Sequence, residues 1–359
     1  MPQTNMGCLS MTDPCRVERT NRCIIGDCRA VLRDLITQGV KVQICVTSPP
    51  YFGLRNYGHP AQIGFEETPE LFVSALVGVF RLVRDLLADD GTLWLNIGDS
   101  YNAAGRTGHG TRIGYKQNTN RASNTGADNL RPSVDSLKPK DLIGIPWMLA
   151  FALRADGWYL RSEIIWHKVA PMPESVTDRP TRAHEAVFLL SKSEKYFYSA
   201  AEARDALKPT SVARLMQPNY DEQEGSDRAN GGAKTNGKMK AVAAHFGGRI
   251  KSQTNDQTRL ASGNEWHQDP TNGANWRDVW PMAADGYTGA HFAVMPRELA
   301  RRCIVAGSRP GDTVLDPFFG SGTVGEVAQN LGRQWLGIEL SPAYAKLQER
   351  RTAQQGLVL

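Results

Sequence analysis

Thr47-Ser48-Pro49-Pro50-Tyr51 follows a short apolar run, Val42-Gln43-Ile44-Cys45-Val46, and gathers a hydroxyl, bare carbonyls and an aromatic ring. Neither Pro49 nor Pro50 has an N–H to donate, so a strand that stops there cannot continue as a ladder or pass into a helix. Ser48 is pushed out of the α region by the proline after it. The result is a stiff, extended corner. It suits a flat base bearing an exocyclic amine. The Ser48 oxygen and the carbonyls accept the amine's two hydrogens, and Tyr51 offers a ring to stack on.

A second segment carries cofactor chemistry. Asp316-Pro317-Phe318-Phe319-Gly320-Ser321-Gly322-Thr323-Val324-Gly325 lies between a strand pattern and a helix pattern. Gly320, Gly322 and Gly325 match G-x-G-x-x-G, and Glu339 follows Gly320 by 19 residues, at the end of the next strand. That is the context of a nucleoside-cofactor turn, with Glu339 placed to accept both hydrogens of a ribose diol. A glycine turn serving only strand–helix packing is the plainer alternative. The pattern alone does not choose between NAD and S-adenosylmethionine. Asp316 and the proline within the turn suit a cationic amino-acid tail, since a carboxylate there would repel a pyrophosphate.

These segments need elements to hold them. Strands are predicted at Cys23–Asp27, Val42–Val46, Thr92–Ile97, Tyr159–Trp166, Ala186–Leu190, Thr313–Asp316 and Gln334–Glu339. Helices are predicted at Ala30–Ile36, Pro69–Leu87, Lys140–Ala155, Pro296–Ala306, from the glycine turn through Leu331, and at Pro342–Arg351. Asp89-Asp90-Gly91 reads as a turn between helix and strand. Strands alternating with helices predict a parallel sheet with crossover helices.

The chain has 359 residues, enough for one large α/β domain and a smaller inserted region. Leu142–Leu153 is its longest uncharged apolar stretch, too short to cross a bilayer. The N-terminus lacks a basic segment followed by an apolar core, which argues against a secretory signal. Cys8, Cys15, Cys23, Cys28, Cys45 and Cys303 form no Cys-x-x-Cys pair, so reduced thiols are expected rather than a metal site. A cytoplasmic enzyme without disulfides fits. A net charge of +5 is compatible with a polyanionic partner without requiring one. Residues 1–20 read as a disordered leader, 101–135 as a mobile loop, and 208–275 as a second, smaller region rich in Gly, Asn, Gln, Lys and Arg. The remainder divides into 21–207, which carries the corner, and 276–359, which carries the glycine turn.

Taken together, these residues resemble the DNA methyltransferases that methylate exocyclic amines, cytosine N4 or adenine N6. Ser48-Pro49-Pro50-Tyr51 matches that family's (Ser/Asp/Asn)-Pro-Pro-(Tyr/Phe/Trp) motif, and Asp316 through Thr323 is similar to its cofactor motif. His291-Phe292-Ala293-Val294-Met295-Pro296 looks like the segment that closes over the cofactor's methionine part. Trp166-His167-Lys168, Pro171-Met172-Pro173-Glu174-Ser175 and Asp178-Arg179 through His184-Glu185 also look like family segments. The corner precedes the glycine turn, as in the β subgroup. The resemblance implies an α/β fold: a circularly permuted, S-adenosylmethionine-dependent methyltransferase (Rossmann-like) sheet with an inserted target recognition region.

It also implies roles. Ser48, Pro49, Pro50 and Tyr51 would be catalytic; Asp27, His291, Phe292, Asp316, Pro317, Phe318, Gly320, Ser321, Gly322, Thr323 and Glu339 would bind S-adenosylmethionine. Asp27 would lie beside the cofactor and accept from the adenine amine, unless it is a surface residue in a turn. Basic residues from Lys208 to Arg259 would contact the phosphates of double-stranded DNA, a solvated linker being the alternative. No membrane partner is expected. Monomer or homodimer, bacterial or phage origin, and a cognate restriction endonuclease are left open.

The reaction implied is direct methyl transfer to the amine of a base flipped out of duplex DNA. Ser48 at the motif's first position favours cytosine N4, with adenine N6 as the alternative. A C5-cytosine enzyme needs an activated cysteine, and the Pro14-Cys15 pair sits in the leader, far from the glycine turn. An NAD-dependent oxidoreductase would explain the glycines and Glu339 but gives Ser48–Tyr51 no role. A catalytically silent DNA-binding protein and an RNA substrate are the other readings.

Overall fold

The structure, a computed structural model, describes residues 20–53, 59, 62–102, 134–171, 173–206, 210, 274–283 and 295–352. Most of the leader, the bulk of the 101–135 and 208–275 regions, and His291 and Phe292 lie outside the described residues. By contacts the chain forms two units, Met1–Ser199 with Asp278–Leu359, and Ala200–Arg277.

The first unit begins with β1 (Arg22–Ile25), which stops where Asp27 caps α1 (Cys28–Thr37) by accepting from the Arg29 N–H. The predicted strand runs to Asp27; the cap ends it two residues sooner. After β2 (Val42–Thr47) comes α2 (Pro69–Leu86), with Thr68 as N-cap and Pro69 in the first turn, where a missing N–H costs nothing. Phe72, Leu76, Val79, Phe80 and Val83 recur at helical spacing and are fully buried. β3 (Leu87–Ile97), α3 (Ile145–Ala155), β4 (Tyr159–Lys168) and β5 (His184–Ser191) follow. In the second unit β6 (Arg204–Asp205) pairs antiparallel with β7 (Ala274–Asn275). The first unit resumes with β8 (Val279–Met282), α4 (Arg297–Gly307), β9 (Thr313–Asp316), α5 (Thr323–Asn330), β10 (Gln334–Glu339) and α6 (Pro342–Thr352).

Eight of these strands make one sheet, in the order β1-β10-β9-β2-β3-β5-β4-β8. The last two long strands of the chain thus lie between the first two, which is the permuted arrangement expected. β1, β10, β9, β2 and β3 are mutually parallel. β5 departs from the parallel expectation: it runs antiparallel to both β3 and β4. The reason is local. The described residues between β4 and β5 include Pro171, Pro173 and Pro180 and form no helix, so they do not carry the chain back across the sheet for a parallel return.

Three further expectations are corrected. Asp89-Asp90-Gly91 is no turn but part of β3, where a register shift between Val42 and Ile44 absorbs the extra length. Gly91 is required there, because a Cβ would meet the Gln43 carbonyl at 2.9 Å. α3 starts at Ile145 rather than Lys140, as Gly144 enters it with φ +86° and the Asp99 carboxylate accepts from the Gly144 and Ile145 N–H groups. β8 is absent from the predicted strands, since Pro281 lies within it. The proline is tolerated because β8 is an edge strand.

Asn102 ties this part of the fold together. Its Nδ2 donates to the carbonyls of Val134, Leu137 and Lys138 at 3.0, 2.8 and 3.3 Å, and its Oδ1 accepts from the Val134 N–H at 2.8 Å. Its own N–H donates to the Asp141 carbonyl, and its carbonyl accepts from the Lys140 N–H. One buried amide therefore joins the chain at 102 to the chain at 134–141. Asn102→Ala leaves several of those groups unpartnered and is expected to cost about 3 kcal/mol. Urea denaturation should show a lower midpoint at unchanged slope; an unmoved midpoint would mean the segment is held by something else.

Candidate active site

The parallel strands all end on one edge of the sheet, and the crevice outside such an edge is where open α/β sheets take their ligands. Because β5 runs the other way, its first residues reach this edge as well: Ala186 pairs with Ile97 at the end of β3, and Glu185 with Trp166 near the end of β4.

Thr47 is the last residue of β2 and Asp316 the last of β9, in neighbouring strands. The buried Thr47 hydroxyl donates to Asp316 Oδ1 at 2.6 Å, and the Phe318 N–H donates to the same oxygen at 3.0 Å. The corner therefore begins one residue beyond a direct bond to the glycine turn. Ser48 is half-buried and Pro49 buried. Gly64 lies close on the corner, its carbonyl accepting from the Gly53 N–H at 2.7 Å, and a Cβ on it would meet the Tyr51 carbonyl at 3.2 Å.

The three glycines of the turn have separate tasks. Gly320, at φ +52°, donates its N–H to Glu339 Oε2 at 2.8 Å. Gly322, at φ +84°, is the N-cap of α5. Gly325 lets the helix approach Phe319, whose ring would stand 2.6 Å from a Cβ and which stacks on Trp335 with centroids 5.0 Å apart. α6 supports the turn: Gln348 Nε2 donates to the Gly320 carbonyl at 2.6 Å. Arg351 donates to the Ser321 and Thr323 hydroxyls at 3.1 and 2.5 Å. Those two buried hydroxyls, read from sequence as cofactor ligands, thus have a partner within the fold.

Two carboxyls at this edge are held above their usual range. Burial pushes Asp316 up to about 7, with the Glu339 charge adding to it and the Thr47 hydroxyl and Phe318 N–H opposing. Burial also raises Glu339, against the N–H groups of Ser341 and Gly320. Asp27 is different. It lies at the same edge, just past the Ile25–Glu339 pair, but Arg29 grips its carboxylate, with Nε 2.9 Å from Oδ1, and holds its pKa down.

On the other side of the corner the Tyr51 hydroxyl donates to Glu185 Oε2 at 2.6 Å. Asn96 Nδ2 donates to the same oxygen at 3.2 Å and to the Ala186 carbonyl at 3.2 Å. Lys168 Nζ donates to Glu185 Oε1 at 2.5 Å and lies 4.8 Å above the centre of the Trp166 ring. The Tyr51 ring rests against Gly98, where a Cβ would come within 2.5 Å of it. Sequence reasoning assigns no role to Thr47, Asn96, Gly98, Lys168 or Glu185. Lys168 and Glu185 lie within segments that resemble the family's, but only the reversal of β5 brings them beside Tyr51.

The structure thus gathers Ser48–Tyr51, Asp316–Thr323, Asp27 and Glu339 along one edge, in two clusters joined at Thr47–Asp316. The profile of the DNA methylase family (N6/N4 methyltransferases) matches residues 42–350. The chain is 40% identical over 349 residues to the Type II methyltransferase M.SmaI of Serratia marcescens, covering 97% of this chain and 96% of the relative. Among solved structures, the cytosine-N4-specific PvuII DNA methyltransferase aligns with TM-score 0.52 at 16% identity, over 93% of this chain and 87% of that one. TTHA0409 of Thermus thermophilus, solved with S-adenosyl-L-methionine, aligns with TM-score 0.50 at 23% identity, over 94% and 95%. At those identities the two structures speak for the fold, a methyltransferase α/β sheet. The family profile and the end-to-end likeness to M.SmaI carry the rest: the chain belongs to the N6/N4 DNA methylase family.

Proposed function

We propose that the protein transfers a methyl group from S-adenosylmethionine to the N4 amine of a cytosine extruded from double-stranded DNA. The observation that carries this reading is the 2.6 Å bond from Thr47 to Asp316, which sets an amine-accepting corner beside a cofactor turn. The cofactor fits the residues present. Buried carboxyls at Asp316 and Glu339, both pushed upward, are relieved by a ligand bringing a cationic amino-acid tail and a ribose diol. When bound, S-adenosylmethionine supplies a methyl group activated on a sulfonium.

The chain's own residues do the rest. An exocyclic amine is a poor nucleophile because its lone pair is delocalised into the ring. Ser48 Oγ and the Pro49 carbonyl accept its two hydrogens, which favours a pyramidal nitrogen with its lone pair directed outward. Pro50 keeps the corner rigid. Tyr51 stacks on the base, returning about 1–3 kcal/mol of the few that extrusion costs. Positioning and electrostatics supply the rate, with no covalent intermediate. The 208–275 region serves as the target recognition region, with basic residues such as Lys234, Lys240 and Arg249 on phosphates. Asp27, His291 and Phe292 complete the cofactor site. As M.SmaI is a Type II methyltransferase, a partner endonuclease in a bacterial cytoplasm accompanies this reading.

Incubating duplex DNA with labelled S-adenosylmethionine, then sequencing by a method that reports base and context, tests it. N4-methylcytosine at one short sequence is expected. N6-methyladenine would move the target to the other amine, and unlabelled DNA would end the proposal.

A further inference from the structure

Glu185 is a carboxylate set beside a corner that must itself accept hydrogens from an amine. Its place is explained by what it holds. One oxygen takes the Tyr51 hydroxyl at 2.6 Å and Asn96 Nδ2 at 3.2 Å; the other takes Lys168 Nζ at 2.5 Å. The ion pair is largely shielded, with side-chain exposures of 29% for Lys168 and 14% for Glu185. Asn96 is fixed independently by the Ala186 carbonyl. Tyr51 is therefore located at its hydroxyl by Glu185 and along its ring by Gly98, the one residue type that leaves room there. With its hydroxyl donated to Glu185 and its ring against Gly98, the side chain is held in a defined plane.

We propose that Glu185, braced by Lys168, is a positioning residue that sets the plane of Tyr51, and through it the height at which the extruded base meets the methyl donor. This deepens the amine-methylation reading above and rests on it. A carboxylate is needed rather than any acceptor, because it bridges a cation and a phenol at once and pulls both toward a fixed point.

The test is a mutant cycle on the full chain. Glu185→Gln keeps shape and removes charge; it should slow single-turnover methyl transfer to DNA about 10²-fold, the cost of a misplacement near 1 Å. S-adenosylhomocysteine should bind as tightly as before. In the Tyr51→Phe background there is no hydroxyl to hold, so adding Glu185→Gln should slow the reaction little further. Gly98→Ala, which keeps every charge, should displace the ring and give a comparable loss even if Glu185→Gln fails to fold. A wild-type rate in Glu185→Gln or Gly98→Ala, or full additivity of Glu185→Gln with Tyr51→Phe, would overturn the proposal. A second readout does not depend on transfer. 2-Aminopurine at the target position should fluoresce more brightly with Glu185→Gln than with wild type, because a loosened ring quenches less. Equal brightness would overturn the positioning role, whereas failure of wild type to methylate DNA would sink only the reaction beneath it.

Discussion

Ser48→Ala is expected to slow methyl transfer by about 10²–10³-fold or more, the scale seen when one preorganised partner of a reacting group is deleted. The neighbouring hydroxyl cannot substitute. Thr47 Oγ1 is buried and committed to Asp316 at 2.6 Å, so it points into the sheet edge rather than toward the corner's outer side. Pro49 and Pro50 offer only carbonyls, and Tyr51 gives its hydroxyl to Glu185. On the proposed reading, Ser48 Oγ accepts one amine hydrogen while the Pro49 carbonyl takes the other. Calorimetry with S-adenosylhomocysteine should find binding unchanged, since the cofactor cluster lies across the Thr47–Asp316 bond. Single-turnover transfer should then isolate the chemical step. Full activity in the alanine variant would remove Ser48 from the reaction.

Asp316 should make cofactor binding strongly pH-dependent. Burial raises its pKa from 3.8 to about 7, so much of the ligand-free protein carries it protonated below neutrality. A ligand with a cationic tail binds the ionised form. Affinity for S-adenosylhomocysteine should therefore fall about tenfold for each pH unit below about 7 and level off above it. Asp316→Asn should bind weakly at all pH values and lose that slope. Stability runs the other way. The folded chain keeps a proton that the unfolded chain releases near 3.8, so this group's contribution to stability declines as pH rises from there to about 7 and then stays constant. Ligand-free Asp316→Asn should accordingly melt higher than wild type above neutrality, yet gain less when ligand is added. Affinity that does not change from about pH 6 to about 8 would show that the carboxylate does not face the ligand.

The two ends of this site are legible in the sequence because each is marked by residues with unusual backbone demands: two prolines that stop a strand, and glycines that must turn with φ above zero. Their junction is legible less directly, through the order of motifs and the permuted sheet that the order implies. What holds Tyr51 is not legible. Glu185 and Lys168 read as charged residues at strand ends, and their convergence depends on β5 entering the sheet in reverse, which is set by a proline-bearing connection rather than by any pattern within the strands. Asp27 lies two residues past the end of β1 rather than within the strand, and Arg29, two residues on, pairs with its carboxylate, a contact that no pattern in the sequence marks. Asp89-Asp90-Gly91 carries the composition of a turn because Gly91 must pass close to the Gln43 carbonyl inside a bulge, and the sequence signal for the two situations is the same.

The position of β9 and β10 has a consequence for the nascent chain. Thr47 and Asp316 are 269 residues apart, so at roughly 5–20 residues per second the ribosome delivers the second about 13–54 s after the first. Throughout that interval the facing edges of β1 and β2 have no neighbours, and they stand as open templates for foreign strands. The sheet is therefore closed by late-made strands that insert between two earlier ones, and until β9 and β10 exist those two edges stay open to mispairing.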